Sequence, residues 1–238
     1  MASTGTQIAG ATALVTGGNR GLGRALVQEL LDRGAAKVYA TSRSPFTYDD
    51  ERVATLVLDV SDDASVAAAA EAAGDVSILV NNAGISARTP LLTAPYEDIQ
   101  SEFDTNFFGL LRVTRAFAPS LAGHESSTVL NILSALSWIS FGNGYDATKS
   151  AAWAATNGLR LALQDQGTNV IGLHVGYMDT DMTAGIDAEK SDPRDIARIA
   201  VDGILTGADE IIADDTSRHV KSRLSGEVSD LYPQLAMA

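Results

Sequence analysis

The chain has 238 residues, of which 45% are hydrophobic and 20% charged; this suits one soluble domain with a sizeable core and excludes a disordered chain. Its formal charge of -13 at pH 7 opposes binding to nucleic acid or to an anionic membrane surface, both of which need clustered positive charge. The absence of cysteine rules out disulfides, thiolate catalysis and thiolate metal sites.

Apolar runs of strand length recur along the chain. "ATALVT" at 11–16 is followed by the glycine loop "TGGNRGLG" and a helix over Gly21 to Asp32, then by "KVYATS" at 37–42. Only "RSPFTYDDERVA" separates this second strand from "TLVLDV" at 55–60, too little for a long helix, so a short irregular crossover is expected there. An Ala-rich helix over 62–73 leads to "VSILVN" at 76–81. "STVLNIL" at 127–133, a helix from Tyr145 to about Asp165, and "NVIGLHV" at 169–175 come next. "SDPRDIAR" marks a helix start, with Asp192 as cap, Pro193 at the first helical position and Asp195 beside the positive end. "DEIIAD" at 209–214 gives the last strand, and "DDTSRHVKSRL" reads as helical. The runs are near-continuous rather than alternating, as strands covered by helices on both faces require. The expectation is a single α/β domain over 1–238 with a doubly wound, seven-stranded parallel sheet and right-handed crossovers.

The start "MASTGTQIAG" has neither the basic nor the apolar region of a secretion signal, and no segment approaches ~18 consecutive apolar residues. A cytoplasmic location is the default. His124, His174 and His219 include no pair at i, i+4, so no metal is expected.

The stretch Thr16 to Gly23 holds four glycines, directly after the first strand. Joined to a helix starting at about Gly21, its N–H groups face an anion, most simply a pyrophosphate, although the pattern alone also suits a tight turn. The spacing of Thr16, Gly17, Gly21 and Gly23 differs from the common G-x-G-x-x-G fingerprint. Further motifs follow in order: "NNAG" at 81–84, Asn106 in "FDTNFFG", Ser134 at the end of "LNILS", and "YDATK", which sets Tyr145 four residues before Lys149. Over roughly residues 10 to 182 the chain resembles the short-chain dehydrogenase/reductase family.

That resemblance implies a Rossmann fold, a nicotinamide cofactor, and reversible hydride transfer between an alcohol and a carbonyl. It makes Tyr145 the proton donor, Lys149 its partner and a ligand of the nicotinamide ribose, Ser134 a hydrogen-bond donor to the substrate oxygen, and Asn106 the holder of a relay water. A phenol with an ordinary pKa of about 10 needs a nearby ammonium to work near neutrality, and Lys149 at i+4 lies on the same helix face. Cofactor contacts are expected from Gly17, Asn19, Arg20, Gly21, Leu22 and Gly23 in the loop. Ser42 and Arg43 at the end of the second strand, Asp59 and Val60 at the end of the third, and Asn82, Ala83 and Gly84 after the fourth extend the set. Tyr145, Lys149, Gly176, Met178, Thr180 and Met182 complete it. The chain departs from many relatives in a shorter step from Ser134 to Tyr145, and in Val175 ahead of Gly176 where they carry Pro-Gly.

Enzymes that bind NAD place a carboxylate at the end of the second strand; here that strand ends Thr41, Ser42, Arg43. Arg20 and Arg43 could instead clamp a 2′-phosphate, so NADP(H) is the expected cofactor. Segments 85–95, 134–145 and 176–190 are expected to form the substrate site, walled by Ile85, Leu136, Trp138, Phe141, Tyr177, Met178 and Met182. That apolar lining favours a hydrophobic ketone or secondary alcohol. The competing reading is a non-catalytic NADP(H)-sensing or scaffold protein on the same fold. Small residues Ala151, Ala152, Ala154 and Ala155 suit close packing in a homodimer or homotetramer, or against the chain's own sheet.

Overall fold

Seven strands form one sheet in the computed structural model, which describes residues 5–88 and 90–234. They are β1 (Thr12–Val15), β2 (Lys37–Ser42), β3 (Val53–Val57), β4 (Ile78–Asn81), β5 (Ser127–Ile132), β6 (Thr168–His174) and β7 (Glu210–Ile212). All pairs are parallel, in the order β3-β2-β1-β4-β5-β6-β7. The helices are α1 (Gly21–Asp32), α2 (Asp63–Ala72), α3 (Tyr96–Phe103), α4 (Gly109–Ala122), α5 (Gly144–Ala162), α6 (Pro193–Thr206), α7 (Asp215–Ser222) and α8 (Val228–Leu231). This is the doubly wound Rossmann architecture that the apolar runs imply.

Successive strand residues point to opposite faces, and both faces are buried. Ala13, Val15, Ile78, Val80, Leu130 and Ile171 pack with Leu26, Leu30, Ile196 and Val201 of α1 and α6. Leu14, Tyr39, Leu79, Val129 and Val170 face Val66, Val113, Phe117 and Leu121 of α2 and α4. Between β2 and β3 no helix forms, as the short connection dictates. Strand β3 ends at Val57, three residues short of the expected end, because the chain turns at Asp59. There the Asp59 carboxylate accepts the Ser61 N–H at 2.9 Å, and the Asp59 N–H donates to Ser65 Oγ at 3.0 Å. Asp59 and Val60 therefore lie in the loop beyond the strand.

Between α3 and α4 the helix widens for one π turn, Asp104–Phe108. Such turns recur at functional sites, and this one carries Asn106. The sheet order reverses beside β1, so the crevice between the carboxyl ends of β1 and β4 is the ligand position for this architecture.

Candidate active site

Residue Gly17 has φ +65° and Gly21 φ +52°, the left-handed region open to glycine at little cost. At Gly23 the constraint is space: an added Cβ would stand 2.0 Å from the Gly17 carbonyl oxygen and 2.7 Å from Asn82 Nδ2. Thr16 ties the loop to the next crossover. Its Oγ1 accepts the N–H groups of Asn82 and Ala83, each at 2.9 Å, and donates to the Val80 carbonyl at 3.2 Å. The Asn82 amide returns a bond to the Thr16 carbonyl at 2.8 Å. Thr16 thus aligns "TGGNRGLG" with "NNAG", so one wall of the cleft is preformed. A backbone cradle that excludes Cβ atoms, opening onto the N-terminus of α1, fits a dinucleotide pyrophosphate.

The cleft at this point has a volume of about 520 Å³, within the ~300–1,000 Å³ usual for cofactor and ligand sites. Every residue expected to touch the cofactor lines it, from Gly17 and Asn19 through Ser42, Arg43, Asp59, Val60 and Asn82 to Thr180 and Met182. Ser134, Tyr145 and Lys149 line it as well. Ser61, through its hydroxyl and N–H, and the Arg43 guanidinium hold the Asp59 carboxyl below its ordinary range. Arg20 instead reaches Asp181 at 2.8 Å, both side chains largely exposed. Among the described residues Arg43 has no carboxylate within ion-pair distance, which leaves it free for an anion.

Tyr145 and Lys149 sit one turn apart at the start of α5, with the Lys149 ammonium 5.6 Å from the centre of the Tyr145 ring. Lys149 Nζ donates to the Ile132 carbonyl at 2.8 Å, and burial pushes its pKa down to about 8. The Tyr145 phenol moves the other way. Burial, reinforced by the Asp146 and Glu102 carboxylates, raises its pKa above the ordinary tyrosine value. The expected lowering by Lys149 is therefore not met in this state, because the ammonium is engaged with the Ile132 carbonyl while the phenol is desolvated. The result is a protonated phenol at neutral pH, the form a proton donor needs.

Ser134 lies two residues beyond β5 and caps the following turn, Oγ accepting the Leu136 N–H at 3.1 Å. Asn106 does not line the cleft. From the π turn its Oδ1 accepts the Ile85 N–H at 2.8 Å, and its Nδ2 donates to Ile85 O at 2.9 Å and to Thr148 Oγ1 at 3.0 Å. It braces the segment after "NNAG" against α5, behind Tyr145. A void of about 10 Å³ lies between Asn106 and Lys149, close to the room one water needs.

One expected wall residue is misplaced. Trp138 does not line the cleft; its ring stacks on His174 with centroids 3.8 Å apart and planes 13° from parallel. The turn at 135–137 directs it toward β6 and gives its place to Ile139. Ile85, Leu136, Phe141, Tyr177, Met178 and Met182 do line the cleft. Several contributors escape sequence reasoning. Asp146, buried beside Tyr145, accepts the Phe141 N–H at 2.6 Å and the Ser140 hydroxyl at 3.0 Å, shaping the substrate loop. Tyr232 reaches back from the end of α8 to accept the Ser140 N–H at 2.8 Å. Glu102 holds the Ala87 N–H at 2.7 Å. The aspartate in "YDATK" was a visible signal; Glu102 and Tyr232 act across large sequence separations that no local pattern carries.

A phosphate cradle at the switch point beside a buried Tyr and Lys pair belongs to the class of dinucleotide-dependent oxidoreductases. The sequence model of the short chain dehydrogenase family matches residues 11–191, and the chain belongs to that family: it is an oxidoreductase that uses a nicotinamide cofactor. A short chain dehydrogenase from Burkholderia cenocepacia J2315, solved in complex with NADP, is 33% identical with a TM-score of 0.91, covering 97% of this chain and 99% of that one. A 3-ketoacyl-(acyl-carrier-protein) reductase from Brucella melitensis, solved with NADH, is 26% identical with a TM-score of 0.74, covering 83% of this chain and 91% of that one. The NADPH-dependent 1-acyldihydroxyacetone phosphate reductase of Schizosaccharomyces pombe is 32% identical over 178 residues, 70% of this chain and 60% of that protein's length. Among the described residues no helix is long and apolar enough to cross a membrane.

Proposed function

We propose that the chain reduces a hydrophobic or aromatic ketone, reversibly, with NADP(H). The observation that carries this reading is the convergence of Ser134, Tyr145 and Lys149 on the glycine-loop cleft, with Arg43 where NAD enzymes carry a carboxylate. A nicotinamide held there supplies or accepts the hydride. The chain does the rest. Tyr145, held protonated, gives its proton to the oxygen that gains charge on reduction. Ser134 donates a second hydrogen bond to that oxygen, and the Lys149 ammonium stabilises the phenolate left behind. Asn106 holds the relay water beside Lys149. The guanidinium of Arg43 matches a 2′-phosphate, and Ile85, Leu136, Ile139 and Phe141 offer the substrate an apolar wall. Segments 85–95, 134–145 and 176–190 supply the substrate side of the cleft, through Ile85, Leu136, Ile139, Phe141, Tyr177 and Met182, so one domain serves both ligands. The same proposal includes a homodimer or homotetramer through α5, on which Leu161 is 75% exposed; light scattering that returns a monomer at micromolar concentration removes it.

The test is the oxidation of NADPH and of NADH on a panel of aryl ketones. Turnover with a clear preference for NADPH is the expected outcome. Tight NADPH binding without turnover on any ketone would favour the sensing role instead, and equal use of NADH would remove the 2′-phosphate assignment.

A further inference from the structure

Strand β6 ends at His174, whose side chain is fully buried and which the proposed chemistry does not use. Its Nδ1 lies 3.0 Å from the main-chain carbonyl oxygen of Ser134. A carbonyl oxygen only accepts, so Nδ1 carries the hydrogen. Trp138 stacks on one face of the ring, while Nε2, which carries no hydrogen in this tautomer, stands 3.3 Å from Glu210 Oε1 of β7 without a hydrogen bond. Glu210 is in turn paired with Lys221 of α7, whose ammonium lies 5.7 Å from the centre of the Trp138 ring.

Ser134 needs such support because it stands just past the end of β5. Its neighbours continue the ladder: the N–H groups of Leu133 and Ala135 bond the carbonyls of Leu173 and Val175 at 2.7 and 3.1 Å. The Ser134 N–H has a longer bond, 3.3 Å to Ser137 Oγ, and its carbonyl is taken by the imidazole. A hydroxyl that must meet a substrate oxygen is sensitive to small shifts of its own main chain. We propose that His174 is a positioning residue: by donating from Nδ1 to the Ser134 carbonyl, it fixes the peptide from which the serine hydroxyl enters the cleft. The Trp138 ring, stacked on the imidazole, holds it for that bond. The inference rests on the role proposed above for Ser134.

The experiment is a double-mutant cycle on the full chain, reading kcat on an aryl ketone, the NADPH dissociation constant and Tm. His174→Leu should lower kcat by roughly 10- to 100-fold with NADPH affinity unchanged. His174→Asn, whose amide N–H can stand where Nδ1–H stood, should restore most of the loss. In a Ser134→Ala background His174→Leu should cost nothing more, since the two act as one unit. Equal losses in both backgrounds would overturn the proposal, as would an Asn variant that folds with the parent Tm but is no better than Leu. Ser134→Ala with parent kcat would instead refute the role given to Ser134, and the positioning claim with it. Should His174→Leu fail to fold, or the parent turn over no ketone, the ¹⁵N–¹H spectrum of the parent's histidine rings gives the answer. A long-lived hydrogen on His174 Nδ1 supports the proposal; an unprotonated Nδ1 overturns it.

Discussion

Lys149 shows at the scale of one side chain how this site exchanges stability for chemistry. Its folded pKa of about 8 lies below the ordinary 10.5, so between those values the unfolded chain binds a proton that the folded chain does not. Stability therefore rises with pH across that window, and below pH 8 the full cost of burying the ammonium is present. Lys149→Met should accordingly abolish turnover yet stabilise the protein without ligand at pH 7, by about 1–3 kcal/mol. The gain over the parent should shrink as pH rises from 8 toward 10.5. Thermal melts across that range check it, and a variant less stable than the parent at pH 7 would show that the bond to Ile132 outweighs the desolvation. Arg43 allows a second test at this scale. One charge-assisted contact is worth about 1.5–3 kcal/mol, so Arg43→Ala should weaken NADPH by roughly ten- to a hundredfold and leave NADH unchanged in titration calorimetry. Equal weakening of both cofactors would contradict the assignment. Arg20 was grouped with Arg43 on sequence alone; its engagement by Asp181, 161 residues away, was not legible there. The Arg20→Ala change should consequently affect NADPH less than Arg43→Ala does.

Elements were legible wherever one local rule dominated. The bounds of α1 and β2 follow directly from the sequence, because the glycine loop and the apolar runs leave no competing register. α6 starts at Pro193 with the Asp192 side chain accepting the Arg194 N–H at 2.8 Å, as its cap residues imply. Asp192→Ala should cost about 0.5–2 kcal/mol in chemical denaturation, with kcat unaltered; no loss of stability would mean the cap carries none. Where two rules compete, the sequence is silent. No local signal marks the stretch around Asn106, which widens into a π turn that delivers the amide to Ile85 and Thr148. The glycine loop gives the sharpest prediction for an element. Gly23→Ala places a methyl 2.0 Å from the Gly17 carbonyl, so the loop must open. NADPH and NADH should both bind at least tenfold more weakly, by about 1.4 kcal/mol or more. A variant with parent affinity for either cofactor would show that the cradle adapts.

For the molecule as a whole, the ordered series of motifs made the fold and the cofactor half of the cleft readable, since glycine geometry and strand order are both written locally. The substrate half was less so. Trp138 was placed in the wall by its position between Ser134 and Tyr145, and only the three-dimensional packing of β6 against the turn at 135–137 sends it to His174. The contributions of Glu102, Asp146 and Tyr232 depend on α3 reaching the loop at Ala87 and on α5 and the end of α8 meeting around the loop at Ser140 and Phe141. What joins the halves is Tyr145, which faces the cleft between the cofactor loop and the apolar wall. The most direct test of the account is therefore Tyr145→Phe, with kcat on an aryl ketone and NADPH affinity measured on the same preparation. Loss of the phenolic proton should lower kcat by about 10² to 10⁴ while the NADPH dissociation constant stays at the parent value. Turnover within tenfold of the parent, at unchanged NADPH affinity, would contradict the account.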